Sequence, residues 1–208
     1  MIEVHHLNNS RSQRILWLLE ELNAPYSLVK HHRDAKTNLA PEALKDIHQL
    51  GKSPVIVDKD EVIIESAAIC TYIIDKYAPQ DFSPHPTDED YYKYIELMHY
   101  AEGSAMLPFL LLLYSGALGE AAAPLMERIF SEIDNHIGFL SNRLGSDDFF
   151  FRNTFSGADI MLSFVLEAAT ISDSLQKYSN LKKTLDSYQS RPAYQAALDK
   201  GGEYKLGG

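Results

Sequence analysis

The pattern of the sequence changes once, at a proline-rich segment, and that change most limits what the chain can fold into. This segment is Ala78-Pro79-Gln80-Asp81-Phe82-Ser83-Pro84-His85-Pro86. It contains three prolines and no regular spacing of apolar residues, which is typical of a linker. A chain of 208 residues suits one large domain or two small ones. We therefore predict a first domain at residues 1–79, a linker at 80–87 and a second domain at 88–208.

The part before the linker alternates strand-like and helix-like patterns. The predicted strands are Ile2–His6, Tyr26–His31, Val55–Val57 and Val62–Ile64, of which the last two form a hairpin. The predicted helices are Ile15–Leu22, Pro41–His48 and Cys70–Tyr77. The predicted order is βαβ, then a helix, then ββα, which describes an α/β domain.

After the linker the pattern is helical throughout, so the second domain is predicted to be all-α. Apolar residues at helical spacing predict one helix beginning at Tyr91, a second with a stripe from Leu125 to Leu144, and a third at Met161–Ala168. The most apolar run, from Met106 to Tyr114, is too short to span a bilayer and contains a proline. We predict a buried helix there.

Charge and cysteine content limit the partners and the compartment. The net charge of -10 argues against nucleic acid and anionic membranes as main partners. The single cysteine, Cys70, can form no disulfide within the chain, and its place on an apolar helical stripe predicts a core residue. The N-terminus lacks a basic start followed by an apolar run, so we expect no signal peptide and a cytoplasmic protein.

The first candidate site is Asn9-Ser10-Arg11-Ser12-Gln13-Arg14, between the first strand and the first helix. Ser10 and Gln13 have the spacing of a capping box, so Ser10 could serve only as a helix cap. A hydroxyl at a helix N-terminus can also donate to an anion, where free N–H groups and the helix dipole favour negative charge. A thiol with a pKa near ~8.5 is only a few per cent ionised at neutral pH, and such a position would raise that fraction.

Two further segments offer groups to a peptide-like ligand. In Leu50-Gly51-Lys52-Ser53-Pro54-Val55, the bond before the proline is either an ordinary trans bond or a cis bond that exposes neighbouring backbone groups. Ser66 is a natural N-cap for the helix of Cys70, and that helix end also offers N–H groups to a carboxylate. Because Glu65 could hold an ammonium, Glu65 and Ser66 together would suit an amino-acid head group.

These motifs, in this order and at these spacings, resemble the N-terminal domain of the glutathione transferases. The resemblance rests on Ser10 with Arg14, on Gly51-Lys52-Ser53-Pro54, and on Glu65-Ser66. It implies a thioredoxin-like domain followed by an all-helical domain, and a homodimer.

The helical half is similar to the same family. Ser156 and Asp159 match its buried N-capping box, and Phe155 with Ile160 matches its hydrophobic staple. The segment Arg191-Pro192-Ala193-Tyr194 resembles the family's usual opening of a late helix. The resemblance therefore spans almost the whole chain.

The resemblance also implies which residue acts on sulfur. The family places its reactive residue four positions before the arginine, which is Ser10 here, so the chain looks serine-type, nearest to theta-like, phi-like or related microbial enzymes. Ser12 and Asn9 are alternatives, because the loop could shift by a residue or two. In this scheme Ser10 donates a hydrogen bond to the glutathione sulfur and is not itself the nucleophile.

Roles for the remaining motif residues follow from the resemblance. Lys52 would pair with the glycyl carboxylate of glutathione, and Ser53 would hold the cysteinyl part through its backbone, ahead of cis-Pro54. Glu65 and Ser66 would bind the γ-glutamyl end. One departure is a missing basic residue near position 39, where this chain has Thr37-Asn38-Leu39. That contact is either missing or made by a neighbour such as His48 or Gln49.

The second substrate is expected to be a small apolar electrophile. Its pocket is predicted between Leu7-Asn8 and the helical domain, and helical spacing adds Met106, Phe109, Leu110 and Leu113. In a homodimer like the family's, Glu102 and Ser104 would reach the glutathione of the other subunit.

Transfer of the glutathione thiolate to an electrophile, in detoxification, is the predicted activity. One alternative is a glutathione-dependent peroxidase or disulfide reductase, and another is a non-catalytic binding protein on the same fold. No cofactor is expected beyond glutathione as co-substrate. No metal site is expected either, because neighbours in the pairs His5-His6 and His31-His32 point to opposite faces of a strand.

Overall fold

In the computed structural model, which describes residues 1–202 and 204–206, contacts divide the chain into two units. The first unit contains Met1–Ser83 and Gln189–Leu206, and the second contains Pro84–Tyr188. The division after Ser83 lies inside the predicted linker. The sequence pattern assigns residues 88–208 to one helical domain, whereas Gln189–Leu206 belongs to the first unit.

A mixed sheet forms the centre of the first unit. Its strands are β1 (Ile2–Leu7), β2 (Tyr26–His31), β3 (Val55–Asp58) and β4 (Glu61–Ile64). The helices between and after them are α1 (Ser12–Glu21), α2 (Ala43–Ile47) and α3 (Ser66–Tyr77). The strand order is β2-β1-β3-β4, in which β1–β2 is parallel and the other two pairs are antiparallel. The predicted order of βαβ, helix and ββα is confirmed.

Helix α1 lies at the core of the first unit. All residues of its segment Ile15–Leu19 are fully buried, because α1 packs against β1, α3 and the last helix, Pro192–Gly201. Burial of each large apolar side chain contributes roughly 1.5–3 kcal/mol. Trp17 meets Tyr194 edge to face with ring centroids 5.3 Å apart. On α3, Cys70 is fully buried, which confirms the prediction of a core cysteine.

Ion pairs join the last helix to α1. The Arg191 guanidinium donates to both carboxylate oxygens of Glu21. Its Nε lies 2.5 Å from Oε1 and its Nη2 lies 2.8 Å from Oε2. Lys200 Nζ lies 2.6 Å from Glu20 Oε1. A two-pronged arginine–carboxylate pair fixes orientation as well as distance. These contacts explain why the C-terminal segment belongs with the first unit although its sequence pattern is simply helical.

The second unit is helical, as predicted. Its helices are α4 (Tyr91–Tyr100), α5 (Leu107–Gly116), α6 (Ala123–Leu144), α7 (Gly157–Ile171) and α8 (Ser179–Ser190). The last helix, α9 (Pro192–Gly201), belongs to the first unit. A π-helical turn at Ala101–Ala105 separates α4 from α5. Within the described residues, every helix is too short or too polar to cross a membrane.

The long helix α6 buries most of its predicted stripe. Ile129, Ile133, Ile137 and Leu140 are buried, together with the last residue of the helix, Leu144. Leu125 is exposed, so its assignment to the buried stripe is wrong. It lies in the first turn of α6, at the N-terminal end of the stripe.

The capping box of α7 is confirmed. Ser156 is the N-cap, its hydroxyl accepts a hydrogen bond from the helix start, and the Asp159 carboxylate accepts from Ser156 N over 2.9 Å. Asp159 also accepts from Phe150 N over 3.0 Å and from the Tyr188 hydroxyl. Burial raises the pKa of Asp159 to about 6 despite these three donors. The staple of Phe155 with Ile160 stays a prediction.

Candidate functional site

The sheet register brings the three predicted site segments to one end of the sheet. His5 on β1 lies opposite Val55 on β3, and Val55 lies opposite Ile64 on β4. Because both pairs are antiparallel, the C-terminal ends of β1 and β4 and the start of β3 lie at the same end. The segments that adjoin these ends are 8–12, 51–54 and 65–66.

Ser10 lies in the turn between β1 and α1 and is nearly buried, with 5% exposure. Its backbone carbonyl accepts from Gln13 N over 3.1 Å. The N-cap of α1 is Arg11 and no side chain caps that end, so the predicted capping box of Ser10 with Gln13 is not formed. Both polar atoms of the Gln13 amide are buried without a hydrogen-bond partner among the described residues. The Ser10 hydroxyl does accept from Ser12 N at the start of α1, so a role of Ser10 beyond this turn stays a prediction.

The Ser10 hydroxyl is held by Ser12 instead. Ser10 Oγ accepts from Ser12 N over 3.2 Å and lies 2.8 Å from Ser12 Oγ. Ser12 Oγ in turn accepts from Leu7 N over 3.1 Å, lies 2.8 Å from His6 Nδ1 and 3.2 Å from Leu7 O. Burial is the main cause that lowers the pKa of His6 to about 4, so this imidazole is neutral at neutral pH.

These contacts distinguish Ser10 from its two alternatives. Ser12 is fully buried and its hydroxyl is already surrounded by four polar partners. The side-chain oxygen of Asn9 accepts from Lys205 N over 2.7 Å. By contrast, the Ser10 hydroxyl contacts a single neighbouring residue, Ser12, within the described part of the chain, and Ser10 retains 5% exposure.

Arg33 fixes the loop that leads to Ser10. Its guanidinium donates to the carbonyl of Asn8 over 3.1 Å and to that of Asn9 over 3.2 Å. Its backbone N–H donates to Asn8 Oδ1 over 2.8 Å. Asn9 has a positive φ of 51°, a conformation that asparagine adopts more readily than most residues. Sequence reasoning did not find Arg33, since nothing local distinguishes it from a solvated surface cation.

The peptide bond between Ser53 and Pro54 is cis, so the cis alternative is confirmed. Pro54 is buried at the start of β3, and Ser53 Oγ donates to His5 O on β1 over 3.0 Å. Gly51 begins this turn at a φ of +58°, where a Cβ would lie 2.8 Å from Lys45 Cγ. Lys52 is exposed and forms no ion pair with residues 1–202 or 204–206. Its ammonium is therefore available to a carboxylate.

Glu65 and Ser66 form the start of α3. The N-cap is Glu65, and Ser66 is the first helical residue, so Ser66 lies one position further into the helix than predicted. Glu65 has a φ of 69°, which is unusual for a residue other than glycine and typical of functional sites. Its side chain is exposed, whereas Ser66 is buried. The first N–H groups of α3 are thus placed beside one exposed carboxylate.

Position 39 itself is a leucine rather than a basic residue. Leu39 is exposed, and Arg33 uses one guanidinium nitrogen to donate to Asn38 O over 3.0 Å. His48 is half-buried, and its Nδ1 accepts from Leu50 N over 3.3 Å. Contacts from His48 or Gln49 to a ligand stay predictions.

The predicted electrophile residues are found in different environments. Leu7 is buried in a core cluster with Leu44 and Val55, because the alternation of β1 turns it inward. Met106 and Phe109 are also buried, whereas Leu113 is 65% exposed. The prediction of a buried helix from Met106 to Tyr114 is therefore wrong in part, because one side of α5 is exposed.

The other predicted contact residues are more accessible. Leu110 and Asn8 are half-buried, and Glu102 and Ser104 are half-buried on the π-helical turn. π-helical turns inside helices occur frequently at functional sites.

The histidine pairs contact each other across strands. His5 Nδ1 lies 3.1 Å from His31 Nε2, because β1 and β2 are parallel neighbours. Within the described residues, no three His, Cys, Asp or Glu side chains form a group that could hold a metal ion.

Comparison with known proteins gives a consistent result. The family model "Glutathione S-transferase, N-terminal domain" matches residues 1–75, and "Glutathione S-transferase, C-terminal domain" matches residues 123–186. Glutathione S-transferase 3 of Schizosaccharomyces pombe is 34% identical over 96% of this chain and 88% of its own length. Glutathione S-transferase 1 of Saccharomyces cerevisiae is 28% identical over 96% and 95%. A glutathione S-transferase structure from Actinobacillus pleuropneumoniae has a TM-score of 0.87 and 31% identity over 97% and 93%.

Proposed function

The chain belongs to the glutathione S-transferase family, and from that premise we propose that it transfers the thiolate of glutathione, stabilised by Ser10, to small apolar electrophiles. The observation that carries this proposal is the common position of three segments at one end of the sheet. Ser10, the cis bond before Pro54 and the start of α3 adjoin the ends of β1, β3 and β4. One extended tripeptide can reach all three.

Thiolate stabilisation is the chemical contribution of Ser10. A thiol with a pKa near ~8.5 is mostly protonated at neutral pH, and only the thiolate is a strong nucleophile. A hydroxyl that donates to sulfur, beside the N–H groups at the start of α1, favours the charged form. The sulfur then attacks an electrophilic carbon, forming a C–S bond while the leaving group departs with the electron pair. The hydroxyl stays uncharged throughout and contributes electrostatic stabilisation.

The remaining length of glutathione would be held by complementary charges. Lys52 provides an exposed ammonium for the glycyl carboxylate, and the backbone of Ser53 before cis-Pro54 provides hydrogen bonds for the cysteinyl residue. The γ-glutamyl end carries an ammonium and a carboxylate. Glu65 would bind the ammonium, and Ser66 with the N–H groups of α3 would bind the carboxylate.

The helical unit contains the residues proposed to contact the electrophile and the second subunit. Leu110 and Leu113 are the predicted apolar pocket residues whose side chains reach solvent, so they are the proposed electrophile contacts. In the proposed homodimer, Glu102 and Ser104 would contact the glutathione bound to the second copy. A cytoplasmic role in detoxification is consistent with such a pocket, which selects by apolar surface rather than by a specific group.

The direct experiment compares three reactions of the purified protein under one set of conditions. Glutathione is supplied with an aryl halide, with an organic hydroperoxide, or with a mixed disulfide, and initial rates are measured beside a calorimetric glutathione titration. We expect saturable binding and the highest turnover with the aryl halide. Dominant turnover of the hydroperoxide or the disulfide would replace transfer by the corresponding alternative. Binding without turnover of any of the three would make the chain a glutathione-binding protein.

A further inference from the structure

Three buried side chains form a continuous hydrogen-bonded line behind the proposed sulfur site. His6 Nδ1 lies 2.8 Å from Ser12 Oγ, and Ser12 Oγ lies 2.8 Å from Ser10 Oγ. The exposed fraction is 5% for Ser10, 0% for Ser12 and 2% for His6. We propose that Ser12 and His6 are positioning residues that direct the hydroxyl proton of Ser10 towards the ligand sulfur. The inference rests on the proposed function and concerns how Ser10 performs it.

The proton of Ser12 can take two directions. A hydroxyl has one hydrogen and two lone pairs. One lone pair of Ser12 Oγ accepts from Leu7 N over 3.1 Å. If His6 Nδ1 carries a hydrogen, it takes the second lone pair, and the Ser12 hydrogen is then donated to Ser10 Oγ or to Leu7 O. If His6 Nδ1 is bare, it takes the Ser12 hydrogen, and the second lone pair of Ser12 competes with the ligand for the Ser10 hydrogen.

The first arrangement makes Ser10 an outward donor. Ser10 Oγ already accepts from Ser12 N over 3.2 Å. Accepting the Ser12 hydroxyl as well fills its second lone pair, so its own hydrogen is the only group left to form a bond. In this arrangement Ser12 cannot accept that hydrogen, because it already donates to Ser10. A sulfur anion bound next to the turn would be its acceptor.

The second ring nitrogen of His6 decides between the two arrangements. Within residues 1–202 and 204–206, His6 Nε2 has no hydrogen-bond acceptor, whereas Nδ1 lies beside the Ser12 hydroxyl. A Cβ added to Gly201 would lie 3.2 Å from His6 Nε2, so the C-terminal end of α9 lies near that side of the ring. A hydrogen on Nδ1 has the Ser12 hydroxyl oxygen as acceptor, whereas a hydrogen on Nε2 has no acceptor among the described residues. The neutral imidazole therefore carries its hydrogen on Nδ1 and donates to Ser12.

The test measures the pKa of the glutathione thiol in the complex, from the ultraviolet absorbance of the thiolate as a function of pH. Relative to wild type, Ser12→Ala should raise that pKa by about one unit and lower the conjugation rate near pH 6.5 about tenfold, with the difference shrinking at high pH. The dissociation constant of glutathione should stay within about threefold. In a Ser10→Ala background, Ser12→Ala should cause no further rise, because Ser12 acts through Ser10.

The outcomes separate this inference from the proposed function. If Ser10→Ala itself leaves the thiol pKa unchanged, Ser10 does not stabilise sulfur and the proposed function loses its mechanism. If Ser10→Ala raises the thiol pKa and Ser12→Ala does not, Ser12 is only structural and the inference is overturned. Ser27→Ala on β2, a half-buried serine away from this end of the sheet, is the matched control and should behave as wild type.

A second measurement needs no variant in the line. Nitrogen chemical shifts of the imidazoles in the ¹⁵N-labelled wild-type protein distinguish a hydrogen on Nδ1 from one on Nε2. After assignment of His6, the inference expects the Nδ1–H form at neutral pH. A hydrogen on Nε2 would overturn it even if Ser12→Ala fails to fold.

Discussion

Val55 lies directly opposite His5 in the antiparallel pair of β1 and β3, and this pairing sets the position of the whole candidate site. It places Pro54 beside the C-terminal end of β1 and lets Ser53 Oγ donate to His5 O. A shift of the register by one residue would turn each side chain of β3 to the opposite face. Because apolar residues of β3 are buried in the core, that shift is strongly disfavoured.

Ser10→Ala removes the proposed donor to sulfur. We expect conjugation near neutral pH to fall about tenfold to a hundredfold, because a hydrogen bond to a charged group is lost where charge must be stabilised. The dissociation constant of glutathione should change little, since the rest of the tripeptide keeps its contacts. Initial rates with an aryl halide and calorimetric titration measure the two effects. Wild-type rates in this variant would reduce Ser10 to a part of the turn.

Glu65→Gln tests the binding of the γ-glutamyl ammonium. The glutamine keeps the shape of the side chain and removes its charge, so the dissociation constant of glutathione should rise about tenfold. Glu61→Gln is the matched control, because Glu61 is an exposed glutamate on β4 of the same hairpin. Equal affinities for both variants and the wild type would remove Glu65 from the site.

Asp159→Ala tests the capping box of α7. Removal of the carboxylate leaves the N–H groups of Ser156 and Phe150 and the hydroxyl of Tyr188 without their acceptor in a buried place. We expect a loss of about 3 kcal/mol or more in the free energy of unfolding. The exposed ion pair of Asp186 with Lys182 is the comparison, and Asp186→Ala should cost less than about 1 kcal/mol. Similar denaturation midpoints for both variants would contradict the structural role of Asp159.

The buried imidazole of His6 should make the protein sensitive to acid. Its pKa is lowered to about 4 in the folded chain from the ordinary value of 6.5, so the unfolded chain binds the proton first as pH falls. Stability contributed by the neutral ring is complete above pH 6.5 and is lost as pH falls towards 4, amounting to roughly 2 to 4 kcal/mol. Asp159, whose pKa is raised to about 6, acts in the opposite direction over part of this window.

A comparison of variants isolates the His6 contribution. His6→Asn keeps a hydrogen-bonding group near the position of Nδ1 and cannot titrate, so its free energy of unfolding should fall less between pH 6.5 and pH 4 than that of wild type. His99→Asn, at an exposed position on α4, should retain the wild-type slope. Parallel slopes for all three proteins in denaturant titrations would show that folding does not lower the pKa of His6.

The sequence predicts those parts of the fold that local pattern controls. The strands and helices of the first unit and the capping box of α7 follow from periodicity and from short motifs, because neighbours in the chain determine them. The cis bond before Pro54 was one of two alternatives by local argument, and the family resemblance favoured it. The packing of α9 on α1 could not be predicted this way, since it depends on pairs such as Arg191 with Glu21 that are far apart in sequence.

The sequence predicts which residues form the candidate site, but not the hydrogen bonds between them. Ser10, Glu65 and Ser66 are at one end of the sheet, but the role of Ser12 depends on a histidine from β1 that points into the turn. Arg33 holds the loop before Ser10 through carbonyl groups, which carry no signal in the sequence. Helical spacing alone also could not tell that Met106 and Phe109 face the core while Leu113 faces solvent.

A structure of the protein with glutathione bound tests the central claim most directly, through the distance from the sulfur to Ser10 Oγ. We expect about 3 to 3.5 Å, with the peptide beside cis-Pro54 and the γ-glutamyl end at Glu65 and Ser66. Sulfur closest to another residue, or glutathione bound away from this end of the sheet, would contradict the account.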